Sequence, residues 1–181
     1  MQVEKAQVRE FAESVIIAVV LAVFIITFVA QSFVVQGRSM FPTLHDGERL
    51  FVNKFIYRFQ EPKRGDVVVF SPQGDPGKKY IKRVMGLPGD RVEIRLDGTL
   101  YINGNLIKED YIAAKARYGF GDYVVPEEHI FVLGDNRNHS TDSRDRMRVG
   151  DVPYDSISGK AFWVYWPLNR IRILKNPKYE I

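Results

Sequence analysis

Apolar residues follow two different patterns along the chain. Residues 15–30 read VIIAVVLAVFIITFVA, an apolar run interrupted only by Thr27. With its flank up to residue 35, this run reaches the roughly 20 residues that span a bilayer core of about 30 Å. We therefore predict a single transmembrane helix at residues 15–35, preceded by a cytoplasmic segment at residues 1–14.

Two other interpretations of this run stay open. A cleavable signal peptide would place a small-x-small site at Ala30-Gln31-Ser32. Three acidic residues precede the run, however, and its apolar core exceeds the usual ~7–15 residues of such a peptide. A buried core helix would need a larger protein around it, because the run is apolar on every face. An uncleaved anchor is the favoured prediction.

After the anchor the pattern changes to short alternating segments that are rich in β-branched and aromatic residues, which is typical of strands. These segments are residues 66–70, 80–84, 92–96, 100–103, 130–133, 160–165 and 170–174. Asp97-Gly98 predicts a type I′ hairpin turn. The sequence thus indicates a mostly β protein in which residues 36–181 form an antiparallel β-sandwich or β-barrel, with a smaller β insertion at residues 97–128.

Composition and charge narrow the classes of function. The chain of 181 residues has no cysteine, which excludes disulfides, thiolate catalysis and cysteine-ligated metals. The histidines show no paired ligand spacing, so we expect no metal and no cofactor. The formal charge of +4 favours anionic phospholipid headgroups over nucleic acid, because no nucleic-acid-binding motif is present.

Two segments offer a nucleophile and a base. Ser39 lies in the loop GRSMFPTL at residues 37–44, where Pro42 opposes a regular strand. Lys82 lies in the strand segment YIKRV and shares a face with Tyr80 and Val84. Burial would lower the pKa of this lysine, and a neutral amine could take the proton of a serine hydroxyl. Taken alone, a solvated loop serine and a surface lysine are the more common outcomes.

Two further segments complete the pattern. Residues 134–144 read GDNRNHSTDSR, a polar loop after a strand, and residues 64–70 read RGDVVVF. With SMFPTL and YIKRVMGLPGD, in this order behind one anchor, the chain resembles bacterial type I signal peptidase (leader peptidase), and in its length the compact Gram-positive-type members. The resemblance extends to GKAFWVYWP at residues 159–167. It implies a membrane-bound serine endopeptidase that removes signal peptides from exported preproteins by a Ser-Lys dyad.

The resemblance also implies roles for individual residues. Ser39 would be the nucleophile and Lys82 the general base. Ser140 would hydrogen-bond to the lysine amine and orient it, and Asp142 and Arg144 would support the polar loop. Asp135 would pair with Arg83 and so fix the strand that carries Lys82. Residues that would shape the nucleophile loop or line the substrate cleft are Met40, Pro42, Tyr80 and Ile81. Gly37 stands where some relatives carry an oxyanion-binding serine, and residues 145–149 are inserted before Gly150.

The implied substrates are preproteins with Ala-x-Ala cleavage sites, bound in extended form by strand addition. The catalytic domain would lie on the outer face of the plasma membrane, in possible contact with the translocation machinery. Phe162 to Pro167 (FWVYWP) is rich in the aromatic residues that prefer membrane interfaces, although an ordinary buried strand is an equal alternative.

Three other functions fit parts of the sequence. A Ser-His-Asp triad could use His139 or His129 with Asp142, but nothing in the sequence places either histidine beside Ser39. A self-cleaving repressor-type Ser-Lys protease shares the dyad, but proteins of that class are soluble and carry a DNA-binding domain. From a different class, the chain could be a membrane-anchored β domain that binds peptides without catalysis.

Overall fold

The computed structural model describes residues 2–24, 30–177 and 179. Helix α1 spans Gln2–Phe24 and therefore joins residues 2–14 to the first part of the apolar run. Among the described residues, no helix combines the length and the apolar character needed to cross a membrane. Residues 25–29 of the predicted span lie outside the described residues.

The predicted end of the helical span at residue 35 is wrong. Ala30–Val34 form strand β1, which pairs antiparallel with Arg49–Asn53, strand β2. The hydroxyl groups of Ser32 and Tyr165 are also hydrogen-bonded, at 2.7 Å. The backbone groups of this segment are therefore satisfied by a neighbouring strand, which removes the reason for a helix to continue.

The remainder of the described chain is mostly β, as predicted. After β2 the strands are β3 (Val67–Phe70), β4 (Tyr80–Gly86), β5 (Arg91–Ile94), β6 (Leu100–Ile102), β7 (Asn105–Leu106), β8 (Phe120–Val124), β9 (His129–Leu133), β10 (Val152–Pro153), β11 (Ile157–Trp166) and β12 (Arg172–Ile173). Short 3-10 helices occur at Ile56–Arg58, Tyr154–Ser156 and Leu168–Arg170.

The larger sheet is antiparallel and has the order β1-β2-β11-β3-β4-β9-β10, with β12 also paired to β11. Strand β3 lies near its middle and reads VVVF without alternation, because both faces are buried. Val67 and Val69 pack into one hydrophobic cluster, whereas Val68 and Phe70 pack into another. The sheet therefore separates two cores.

The smaller sheet has the order β7-β6-β5-β8 and spans residues 91–124, so it starts six residues before the predicted insertion at 97–128. It packs on β4 and β9 through a third cluster that includes Met85, Phe131 and Leu133. The hairpin predicted at Asp97-Gly98 is present, because β5 and β6 pair antiparallel on either side of it, but its turn is not type I′. Asn103 and Gly104 both have positive φ, as that turn requires, whereas at Asp97-Gly98 only the glycine does.

Candidate active site

The side chains of Ser39 and Lys82 meet near the start of strand β4. Lys82 Nζ donates a hydrogen bond to Ser39 Oγ at 2.9 Å, although 43 positions separate the two residues in the chain. A second hydrogen bond joins Lys82 Nζ to the carbonyl oxygen of Ile81 at 3.0 Å. The nucleophile and the base named from the sequence are therefore in direct contact, at a distance that lets the neutral amine accept the serine proton.

The loop that carries Ser39 is held by its own backbone and by the polar loop. The amide of Leu44 donates to the carbonyl of Met40 at 2.8 Å. The amide of Asn136 donates to the carbonyl of Ser39 at 3.0 Å, and the Asn136 side chain donates to the carbonyl of Arg38 at 3.1 Å. Contacts on both sides of Ser39 therefore limit the movement of its hydroxyl.

Lys82 is buried, with 4% of its surface exposed. Desolvation lowers the pKa of its amine to about 8, and the negative charges of Asp142 and Asp135 oppose this shift. A lysine with a pKa near 8 is a free amine in a substantial fraction of molecules at neutral or slightly alkaline pH. The predicted burial and pKa shift of this residue are thus present in the fold.

Arg83, the next residue along β4, points to the opposite face and forms a buried ion pair with Asp135. Its Nε and Nη2 atoms donate to the two carboxylate oxygens at 2.9 and 2.6 Å. Thr43 Oγ1 donates to the same carboxylate at 2.5 Å. The three side chains tie β4, the polar loop and the segment after Ser39 together immediately behind the dyad.

Asp142 and Arg144 stabilise the polar loop from within. The Asp142 carboxylate accepts a hydrogen bond from the Gly134 amide at 3.0 Å and two from the Arg144 side chain at 2.8 Å. Gly134 itself has no room for a side chain, because an added Cβ would lie 2.5 Å from the Ser39 carbonyl oxygen. The loop therefore approaches the nucleophile segment as closely as its backbone allows.

The hydrogen bond implied between Ser140 and Lys82 is not formed. Ser140 Oγ is buried and has no hydrogen-bond partner among the described residues. The lysine amine instead donates to Ser39 and to the carbonyl of Ile81, as above. The Ile81 carbonyl competes with the Ser140 hydroxyl for the lysine amine, and it is close to the amine because it belongs to the residue before Lys82. A hydrogen bond between Ser140 Oγ and Lys82 Nζ would require one of the two side chains to rotate.

Gly37 has a positive φ of 82°, a conformation in which a side chain would be strained. Its amide donates to Asp46 at 2.7 Å and is therefore already occupied. Within the part of the chain that the structure describes, the Ser39 amide donates to no protein acceptor. Of these two amides, only that of Ser39 is available to an oxyanion.

A cleft of about 760 Å³ opens beside the dyad. Residues 31–40 form one wall and residues 77–82 the other, with His139 and Thr141 at the rim. Of the four residues expected to shape the cleft or the loop, Met40, Tyr80 and Ile81 line it. Pro42 is exposed and lies outside its lining, and Met40 is mostly core, with 2% of its surface exposed.

Some supporting residues carried no signal in the sequence. Thr43 is an ordinary loop threonine until the fold places it on Asp135. Ser143 lies within the polar loop, and its hydroxyl accepts a hydrogen bond from the Val132 amide at 2.8 Å. Arg137 is buried and pairs with Glu109, 28 positions away. Only the density of polar residues at 134–144 hinted at such a network.

Comparison with known proteins gives the family of the chain. The sequence model of the family described as "Signal peptidase, peptidase S26" matches residues 8–166. The chain is 41% identical to signal peptidase I of Bacillus amyloliquefaciens, covering 95% of both proteins. It is 41% identical to signal peptidase I T of Bacillus subtilis, covering 92% of this chain and 89% of the relative.

Two further proteins give similar sequence identities. The probable signal peptidase I-2 of Synechocystis is 41% identical, over 91% of this chain and 76% of the relative. A crystal structure of signal peptidase I from Enterococcus faecalis is 39% identical and covers 56% of this chain and 97% of that one, with a TM-score of 0.46. Because the family model covers residues 8–166 and the Bacillus relatives match more than nine tenths of the chain, the chain belongs to the signal peptidase family, peptidase S26.

Proposed function

We propose that Ser39 and Lys82 carry out the reaction of this family, in which a serine endopeptidase cleaves signal peptides from exported preproteins. The observation that carries the assignment is the 2.9 Å hydrogen bond between a buried lysine amine and the serine hydroxyl. The depressed lysine pKa supports it, since a base needs a pKa near the working pH.

The reaction then proceeds in two steps. The neutral amine of Lys82 takes the proton of Ser39 Oγ as this oxygen attacks the carbonyl carbon before the cut. The Ser39 amide stabilises the negative charge on the carbonyl oxygen. The lysine ammonium then gives its proton to the leaving amine, which departs with the mature protein. Water, deprotonated by the same lysine, hydrolyses the ester on Ser39 and releases the signal peptide.

The cleft supports binding of an extended peptide. Strand β1 is an edge strand, and residues 80–82 of β4 pair only with β3, so both walls of the cleft present unpaired backbone groups. Strand addition would satisfy those groups. We propose that Tyr80 and Ile81 limit the substrate to small residues, such as Ala, one and three positions before the cut.

Membrane attachment is the second part of the proposal. The apolar sequence at residues 15–30 supports an anchor, with the N-terminus in the cytoplasm and residues 36–181 on the outer face, where the translocation machinery delivers preproteins. An aromatic surface on β2 and β11 supports contact with phospholipid. Phe51 stacks on Tyr165 with ring centroids 4.6 Å apart, and beside them Trp163, Trp166 and Ile173 are 37%, 48% and 72% exposed.

Vesicle binding tests this part of the proposal. The chain has two tryptophans, and both lie at the aromatic surface, so their emission should shift to shorter wavelength when phospholipid vesicles are added to the full chain. The chain should also remain with the vesicles after a high-salt wash, because an apolar anchor is not released by screening. Emission that is the same with and without vesicles would contradict contact by this surface.

Cleavage of a peptide with Ala one and three positions before the cut tests the catalytic assignment. We expect the purified chain to cut it once, after the Ala-x-Ala segment. The rate constant kcat/KM should rise with pH and reach half its plateau near pH 8, because the lysine must lose its proton to act as a base. A profile that falls between pH 6 and 9 would contradict Lys82 as the base, and peptide binding without any cleavage would favour the non-catalytic alternative.

A further inference from the structure

The charged side chains that line the substrate cleft all carry the same sign. Its lining contains the basic residues Arg38, Lys78, Lys79 and Lys82, and among the described residues that line it there is no aspartate or glutamate. A cleft lined by charges of one sign concentrates ligands of the opposite sign. A substrate carboxylate gains most from a cation that no carboxylate of the chain already balances.

Lys78 and Lys79 are neighbours in the chain but differ in their partners. Lys78 Nζ forms an ion pair with Asp75 at 3.0 Å, so its charge is balanced. Lys79 Nζ donates to two hydroxyl groups, Ser71 Oγ at 2.6 Å and Ser158 Oγ at 2.8 Å. No carboxylate of the described chain lies within ion-pair distance of it. Lys79 therefore holds an uncompensated charge in a defined position.

The position of Lys79 is built by an irregularity in the sheet. The register between β11 and β3 shifts between Ile157 and Gly159, which makes Ser158 the extra residue of a β-bulge. A bulge re-aims its side chain, and the Ser158 hydroxyl is directed at the ammonium group. Since the two hydroxyl groups use two of its three protons, one donor stays available to a ligand.

The strand sets the distance between this charge and the dyad. Lys79 lies three positions before Lys82, or about 10 Å along an extended backbone. Successive antiparallel pairings from β1 through β2, β11 and β3 to β4 make β1 and β4 run in the same direction. Both walls thus lead from the far end of the cleft toward Ser39. An extended peptide that spans this length has about three residues between the dyad and Lys79.

We propose that Lys79 is a specificity-determining residue, which favours peptides with Asp or Glu four or five positions before the cut. The inference rests on the proposed function, and it takes the segment before the cut to lie between β1 and β4 and to run toward Ser39 as both strands do. The acidic side chain would accept the free proton of the ammonium group. Its exposed rim position makes the effect moderate and sensitive to salt.

Matched peptides test the proposal in neutral detergent, with Ala fixed one and three positions before the cut. The first pair of peptides has Glu or Gln at the fourth position before the cut and is otherwise identical. The second pair has Glu or Gln at the fifth position. For the full chain, kcat/KM should favour Glu by about threefold to fivefold at one of these positions, the size of an exposed ion pair. The Glu:Gln ratio should fall toward one in about 0.5 M salt, roughly five times an ordinary ionic strength, because salt screens an exposed ion pair.

Variants assign the effect to one residue. In Lys79→Gln, which keeps a donor for the two hydroxyls, the Glu:Gln ratio should fall to about one, and in Lys79→Glu it should invert. Lys79→Arg keeps the positive charge and should therefore keep the preference for Glu. Lys78→Gln is the matched control and should keep the wild-type ratio, because Asp75 already balances that charge.

A ratio near one in the wild type, or a ratio unchanged in Lys79→Gln, overturns the inference while leaving the proposed function intact. So does a preference for acids only after the cut. A Lys79 effect that appears only when anionic lipid is added would show that the charge binds headgroups instead, and would also overturn it. If neither peptide is cut at all, the proposed function itself fails, and the inference fails with it.

Discussion

Replacement of Lys82 by methionine is expected to abolish peptidase activity and to stabilise the folded chain at neutral pH. The buried amine has a pKa near 8 in the folded state and an ordinary value of 10.5 when exposed. Burial therefore costs the protonated form free energy, at 1.36 kcal/mol per pKa unit. Methionine fills a similar volume without a charge, although it gives up the hydrogen bonds to Ser39 and Ile81. We expect a net gain of about 1–3 kcal/mol in the free energy of unfolding.

The pH dependence of this gain has a definite sign. Below pH 8 the lysine is protonated in both states, and the folded state bears the full cost. As pH rises from 8 to 10.5 the folded state loses its proton first, so the stability of the wild type rises through this window. The difference between Lys82→Met and wild type should therefore be largest below pH 8 and shrink above it.

Denaturant unfolding of the full chain in detergent, at several pH values, measures this difference. Ser39→Ala is the matched control: it should also abolish cleavage, but it retains the buried cation and should give no stability gain. A Lys82→Met chain that is less stable than wild type at pH 7 would contradict the account. So would residual cleavage at a rate near that of the wild type.

Replacement of Asp135 by alanine should destabilise the chain by about 3–5 kcal/mol, because it leaves the Arg83 guanidinium buried without its partner. The side chains of this pair are 2% and 1% exposed, so water cannot replace the lost contact. The Thr43 hydroxyl loses its acceptor as well. In any population that remains folded, the activity midpoint should move to lower pH, because the Asp135 charge raises the pKa of Lys82.

The chain offers an exposed ion pair for comparison. Arg91 and Asp122 join two strands of the smaller sheet, with side chains 59% and 52% exposed. Asp122→Ala should change the free energy of unfolding by less than about 1 kcal/mol. Thermal or denaturant unfolding of both variants checks the contrast. Equal losses for the buried and the exposed pair would show that burial does not decide the strength of the Arg83–Asp135 pair.

The sequence predicted those parts of the fold that depend on local pattern. Strand β3 could be recognised because VVVF is apolar on both faces, and the dyad could be named because the order of the motifs around Ser39 and Lys82 resembles that of signal peptidases. Resemblance supplied the partner of Arg83. In each case the information lies within a few residues or within a motif.

Features that depend on distant pairing were missed or misplaced. Strand β1 continues an apolar run, and only its pairing with β2, some twenty positions later, makes it a strand. Strand β8 is not among the predicted strands, because its glycine and aspartate are unfavourable until β5 lies beside them. The Ser140 hydroxyl was assigned to Lys82, but no sequence pattern fixes which of several nearby acceptors a lysine amine will use.

The shared direction of β1 and β4 has a consequence for inhibitor chemistry. In an extended chain, successive amides point to opposite sides. A ligand that lies between these two walls would therefore form hydrogen bonds alternately to β1 and to β4. N-methylation at alternate positions would therefore disable one wall and spare the other. A compound that folds back on itself as a hairpin would satisfy its own inner edge and could reach only one wall. Linear strand mimetics with both edges free are the scaffold that this cleft favours.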